Sequence, residues 1–120
     1  YKEADVTPSQ IDIAEIHDAF TPLEIISYED LGFCSPGEGK ELIRNGTTKI
    51  DGKLPVNTSG GLKAKGHPIS PTGIAQVYEI VKQMRGQAGA RQIKKPKIGL
   101  THNIGGVGSV SAVHILKNLN

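Results

Sequence analysis

Three histidines in this chain stand in contexts that can aim an imidazole. They are His17 in His17-Asp18-Ala19-Phe20, His67 in Gly60-Gly61-Leu62-Lys63-Ala64-Lys65-Gly66-His67-Pro68, and His102 in His102-Asn103-Ile104-Gly105-Gly106. Imidazole exchanges a proton readily, so such residues held at one place could do general acid–base work or activate a nucleophile. Gly60, Gly61 and Gly66 open backbone conformations closed to residues with side chains, and Pro68 fixes the chain directly after the His67 ring. Ser70 followed by Pro71 is an N-cap and first-turn pair, which predicts a helix from about Pro71 to Met84. Its amide end would turn back toward the loop and favour anions or developing negative charge. The loop reads as half of an active site.

The elements that must position these residues follow from periodicity. His17 closes the run Ile11-Asp12-Ile13-Ala14-Glu15-Ile16, apolar at alternate positions, and His102 closes Lys97-Ile98-Gly99-Leu100-Thr101. Each follows a predicted strand, the end at which open α/β sheets place their chemistry, so the three histidines are expected to converge. Tyr1 to Ala4 should end a helix. Thr21 and Pro22 start another, with Leu23, Ile26 and Leu31 facing a core and Glu24, Glu29 and Asp30 outside. A short helix from Pro36 to Arg44 ends at Asn45-Gly46, and Lys49 to Val56 carries a strand with a turn at Asp51-Gly52. In the helix from Pro71, Ile74, Val77, Tyr78 and Val81 form an apolar stripe read as core. Arg85 to Lys97, with Lys94-Lys95, reads as a flexible solvated connection. Ser109 to Leu116 alternates as a last strand, antiparallel to the one before it, and His114 within it has a packing or surface role. The expected fold is α/β, one domain over residues 1–120, in the order β-α-α-β-α-β-β, with helices covering a mixed sheet.

Composition sets the outer bounds. The chain has 120 residues and a formal net charge of +2, a balance that argues neither for nucleic acid nor for an acidic partner. One cysteine, Cys34, excludes an internal disulfide framework. It has no neighbouring base in sequence, and a small, partly buried side chain is its expected role. No apolar run approaches the roughly 20 residues that span a bilayer, and the opening Tyr1-Lys2-Glu3 is unlike a secretory signal, so a cytoplasmic protein is expected. A start without methionine reads as a piece of something longer. The glycine contexts of the histidines lack compact ligand spacing, so no metal site is expected.

The ordered set His-Asp-Ala-Phe, Gly-Gly-x4-Gly-His-Pro-x3-Thr-Gly and His-Asn-x-Gly-Gly resembles the C-terminal half of a thiolase, over nearly the whole chain. Familiar thiolases carry Asn-Glu-Ala-Phe at the first motif and Cys-x-Gly-Gly-Gly at the third. The versions here are most similar to the archaeal acetyl-CoA acetyltransferases and the sterol-carrier-protein type. The resemblance implies one half of the five-layered thiolase fold, acting on acyl-CoA thioesters, with coenzyme A thioester as substrate and no further cofactor. It gives His67 the activation of a nucleophilic cysteine and the binding of the thioester oxygen, with Gly66 beside it. His17 falls where an asparagine usually orients a water in an oxyanion hole, and Asn103 takes the place of the second catalytic cysteine. An amide cannot shuttle protons, so His17 and His102 become the candidates for the base that removes the α-proton. The backbone around Ile104 and Gly105 would supply or border the second oxyanion site. The implied partners are an N-terminal half bearing the nucleophilic cysteine, further copies in a homo-oligomer, and a small acyl-CoA-binding protein. An isolated half would expose an apolar patch and be inactive alone. The alternative reading is a noncatalytic acyl-CoA or lipid-binding scaffold that keeps the pocket but not the chemistry.

Overall fold

A computed structural model of the chain describes residues 1–119. Strand β1 (Ile13–Ile16) is followed by helices α1 (Thr21–Asp30), α2 (Gly39–Arg44), α3 (Gly61–Lys65) and α4 (Pro71–Met84), then by strands β2 (Ile98–Gly105) and β3 (Val110–Lys117). The sheet order is β1-β2-β3, parallel between the first pair and antiparallel across the Gly106–Ser109 turn. The sheet is therefore mixed and the fold α/β, as the strand and helix signals predict.

Register decides which side chain faces what, because alternate residues of a strand point to opposite faces. Ala14 pairs with Leu100 and Ile16 with His102, and that face carries a core of Ile11, Ala14, Ile16, Tyr28, Leu31, Val56 and Leu100. Ile13 pairs with Gly99 and Glu15 with Thr101 on the other face, where α4 lies. A Cβ on Gly99 would run into Ile80 of α4, so the missing side chain lets helix and strand close up. Ile13, Ile80 and Ile93 form the small apolar core on that side.

Several local expectations are corrected. Where a helix end is expected at Tyr1 to Ala4, residues 2–5 form a turn, and the Tyr1 hydroxyl donates to the Leu31 carbonyl at 2.7 Å. The strand expected in 49–56 shrinks to a single parallel bridge between Ala14 and Val56. Pro55 has no N–H to extend a ladder, and the Lys49–Gly52 turn shortens what precedes it. The motif loop, unexpectedly, holds the short helix α3. In α1 the buried residues are Ser27 and Tyr28, continuing to Leu31, while Ile26 is exposed. The aromatic ring of Tyr28 takes the core, and the helix turns accordingly. Helix α2 begins at Gly39 rather than Pro36, because the Gly39 N–H is held by Glu29 Oε1 at 3.0 Å and Ile25 leaves no room there for a Cβ.

The largest correction concerns α4. Its boundaries match the expectation, but half of the stripe is turned outward: Ile74 is 74% and Tyr78 61% exposed, while Val77 and Val81 are half-buried. Facing the sheet instead are Thr72, Gln76, Glu79, Ile80 and Gln83. The reason is polar. Gln76 Nε2 donates to the His102 carbonyl at 2.9 Å, and Gln83 exchanges hydrogen bonds with Ile93 N–H, Arg91 O and Thr58. These bonds also correct the reading of 85–97 as a loose connection, since Ala88, Ile93 and Pro96 are buried there.

Candidate active site

Extending the β1–β2 register by one residue past Ile16 and His102 sets His17 beside Asn103, on the face that α4 covers. The two meet, with His17 Nδ1 2.7 Å from Asn103 Oδ1. An amide oxygen only accepts, so Nδ1 carries the proton and the lone pair of His17 sits on Nε2.

His67 reaches the same place by a different route. Gly60, Gly61 and Gly66 have φ of 97°, 63° and 90°, the left-handed conformations that the glycine spacing requires. Thr72, buried in the first turn of α4, donates its hydroxyl hydrogen to the Pro68 carbonyl at 2.8 Å. With that hydrogen committed, Thr72 Oγ1 accepts from His67 Nδ1, 3.0 Å away, and the His67 lone pair is also on Nε2. The rings of His17 and His67 stand edge to face, centroids 4.8 Å apart. Ser70, expected to cap α4, does not: at φ 70° its side chain makes no cap bond, and the Thr72 hydroxyl organises the turn instead. Gly73 lets the helix start come close to Asn103, since a Cβ there would lie 3.2 Å from its amide nitrogen.

His102 is not part of this group. It points to the opposite face of the sheet, shares Ile16's side, and its Nε2 lies 3.1 Å from Ser111 Oγ. Burial, with the nearby His17 second, pushes its pKa down, so the ring is neutral at pH 7, and its buried Nδ1 has no hydrogen-bond partner among the described residues. Ile104 and Gly105 continue β2 to its end beyond Asn103, at the start of the glycine turn. Gly66 is exposed with open space where a Cβ would be. The structure therefore unites His17, His67 and Asn103, and sets His102 apart.

Residues the sequence pattern left unassigned hold the His67 loop. Asp18 Oδ1 accepts the Leu62 N–H at 2.7 Å, and a Cβ on Gly61 would overlap the same carboxylate. Glu15, fully buried on β1, accepts from the Ser59 N–H at 3.0 Å and the Ser59 hydroxyl at 2.5 Å. Burial pushes the Glu15 carboxyl up, against the pull of Ser59 and Lys65. Burial also opposes ionisation of Glu79, but Arg91, Gln83 and Thr58 together hold that carboxyl down. The one available signal was two acids inside and just after a buried strand. Cys34 is partly buried, and burial with Glu29 and Glu38 pushes its thiol up, away from the reactive thiolate. Lys94-Lys95 are exposed and precede β2, whose own run from Ile98 to His102 adds roughly 13 Å at about 3.3 Å a residue.

Among the described residues, no group of three or more His, Cys, Asp or Glu side chains could hold a metal ion, and no helix is long and apolar enough to cross a membrane.

Comparison with known proteins adds independent findings. Residues 1–118 match the family model described as thiolase C-terminal domain-like. Over 115 residues the chain is 55% identical to acetyl-CoA acetyltransferase of Methanothermobacter thermautotrophicus, covering 96% of this chain and 30% of that protein. It is 46% identical to sterol carrier protein 2 of Bos taurus over 92% of its length and 20% of the relative's. Among solved structures, the Ltp2-ChsH2(DUF35) aldolase matches with a TM-score of 0.84 at 31% identity, over all of this chain and 30% of that one. The chain thus spans about a third or less of these relatives.

Proposed function

Because the chain belongs to the thiolase C-terminal domain-like family, we propose that it supplies the acid–base half of an acetyl-CoA C-acetyltransferase acting on acyl-CoA thioesters. The observation that carries this reading is the pair of imidazoles, edge to face at 4.8 Å, with both Nδ1 atoms engaged and, among the described residues, no hydrogen-bond partner at either Nε2. In the intact enzyme a cysteine from the N-terminal half would be the nucleophile. His67 Nε2 takes the thiol proton as sulfur attacks the thioester carbon, and the imidazolium faces the carbonyl oxygen as negative charge develops. The proton then passes to the departing CoA sulfur, leaving an acyl-cysteine. For carbon–carbon bond formation, His17 Nε2 removes the α-proton of a second acetyl thioester, and the amide end of α4 faces the resulting enolate. Asn103 keeps His17 in the tautomer that can do this. His102, on the other face, is the weaker candidate for that base.

The same reading makes an N-terminal half and further copies of the enzyme the partners, with a cytoplasmic setting. A small acyl-CoA-binding partner protein is in keeping with the aldolase neighbour, which pairs Ltp2 with ChsH2(DUF35). The sterol carrier relatives motivate the alternative of a binding scaffold. A scaffold, however, has no need of two imidazoles with fixed tautomers.

The test is acetoacetyl-CoA thiolysis by the full-length protein. His67→Ala should lower kcat by a factor of about a hundred to ten thousand. An unchanged rate would overturn the assignment of His67, and acyl-CoA binding without turnover in the wild type would favour the scaffold.

A further inference from the structure

Residues 63–71, the stretch that carries His67, are all exposed. No apolar burial holds them, and α3, with five residues, is too short to be stable by itself. Yet the His67 ring must keep its place against His17. The fixings seen are polar. At the start of α3, Asp18 takes the Leu62 N–H. At its end, Lys65 Nζ donates to Ser59 Oγ at 2.7 Å and lies 3.6 Å from Glu15 Oε2. The Ser59 hydroxyl donates onward to Glu15 at 2.5 Å and also accepts the Gly61 N–H at 3.2 Å.

This chain of contacts has a direction. Glu15 is on β1, two residues before His17, and Lys65 is two residues before His67. The link Glu15–Ser59–Lys65 therefore joins the two backbones that carry the catalytic imidazoles at the end of α3, beside Asp18–Leu62 at its start and the Lys63–Glu24 ion pair on its exposed side. A buried carboxylate is costly for stability, and an apolar residue of similar size would often do as well or better there. Its presence in the strand is accounted for if it sets geometry. Thr58 bridges the Glu15 and Glu79 carboxylates at 3.4 and 3.2 Å, and Arg91 neutralises Glu79 at 2.9 Å, so Lys65 is the cation left to Glu15.

Resting on the thiolase reading of this site, we propose that Glu15 and Lys65 are positioning residues, locking the His67 loop to β1 so that His67 and His17 keep their edge-to-face spacing. They act through the loop and do not touch substrate.

The experiment uses full-length enzyme carrying Lys65→Met, Lys65→Arg or Glu15→Gln. Each is followed by acetoacetyl-CoA thiolysis kinetics and by hydrogen–deuterium exchange of the peptide spanning residues 59–72. Lys65→Met removes a partly exposed ammonium and keeps its stem, so the melting temperature should move by less than about 4 °C. Exchange in 59–72 should rise while other peptides stay unchanged, and kcat should fall about ten- to a hundredfold with KM nearly constant. Lys65→Arg should restore most of kcat. Glu15→Gln, if it folds, should give the same signature. Exchange and kcat of Lys65→Met both within twofold of wild type would overturn the proposal, as would raised exchange with unchanged kcat. A wild type without turnover, in which Lys65→Met still raises exchange, would sink the thiolase reading while upholding the tether.

Discussion

At the scale of single residues, Thr72 shows how a hydroxyl can decide the chemistry of a neighbouring ring. Its hydrogen is taken by the Pro68 carbonyl, so it can only accept from His67 Nδ1. Thr72→Val keeps the shape but removes that acceptor and leaves the His67 tautomer unfixed, while Thr72→Ser keeps both bonds. In the full-length enzyme kcat should fall about ten- to a hundredfold in the valine variant and stay within a few-fold in the serine variant. Steady-state thiolysis decides this, and equal rates in the two variants would remove the hydroxyl from the account. His102 gives a prediction of another kind. Burial lowers its pKa below the ordinary 6.5, so as the solution is acidified the unfolded chain takes the proton before the folded one does. Its linkage term is therefore absent above about pH 6.5 and costs stability as pH drops from there toward the folded value. Denaturant midpoints measured between pH 5 and 8 should fall on the acid side, and His102→Asn should make that fall shallower.

At the scale of elements, what was legible and what was not separate cleanly. The His67 loop could be read because its glycines code backbone conformations directly, whereas the expected convergence of three histidines holds for His17 and His67 only: in the β1–β2 register Asn103, not His102, falls beside His17, and His102 faces the other side. Helix α4 could be delimited but not oriented. Periodicity tells which residues share a face; it does not tell whether that face meets this chain's sheet or something outside the sequence. Ile74 and Tyr78 look like core residues, and Gln76, Glu79 and Gln83 look like solvent residues, yet they are reversed because those polar groups satisfy the loops around Thr58 and Arg91. The bridge at Val56 in place of a full strand was hidden in the same way, by a proline whose effect on pairing depends on the neighbour. The orientation is testable by stability. Ile80→Ala empties a fully buried site and should cost about 2–5 kcal/mol, whereas Ile74→Ser in this chain should change stability by less than about 0.5 kcal/mol. Denaturant unfolding of the two variants checks it, and a large loss for Ile74→Ser would return the stripe to the core.

At the scale of the whole molecule, the outward stripe and the sheet edge make one argument. Strand β3 is an edge of the sheet, with Val110 and Val113, on opposite faces, 63% and 46% exposed. Ile69 and Val107, beside the His67 loop and in the β2–β3 turn, are also exposed. Large apolar side chains grouped on a helix face and a strand edge mark surfaces that another body covers. The family supplies the candidate, since this chain spans 30% of its archaeal relative. Under the proposed reading, the remainder of the enzyme would carry the nucleophile to His17 and His67, and the contact that completes the site would cover exposed apolar side chains such as Ile69 beside the His67 loop. Tyr78 and Ile74 should then act as anchors at the centre of the contact, where truncation typically weakens binding tenfold or more, about 1.4 kcal/mol or above. The expected result is that this chain and a separately produced N-terminal portion sediment as one complex. Tyr78→Lys should weaken that complex at least tenfold, and Lys94→Glu, in the segment before β2, should not. Thiolysis should appear only in the mixture and fall in step with complex formation across the variants. Two pieces that stay apart at high concentration, with Tyr78→Lys indistinguishable from wild type, would show that the apolar face serves something other than the missing half.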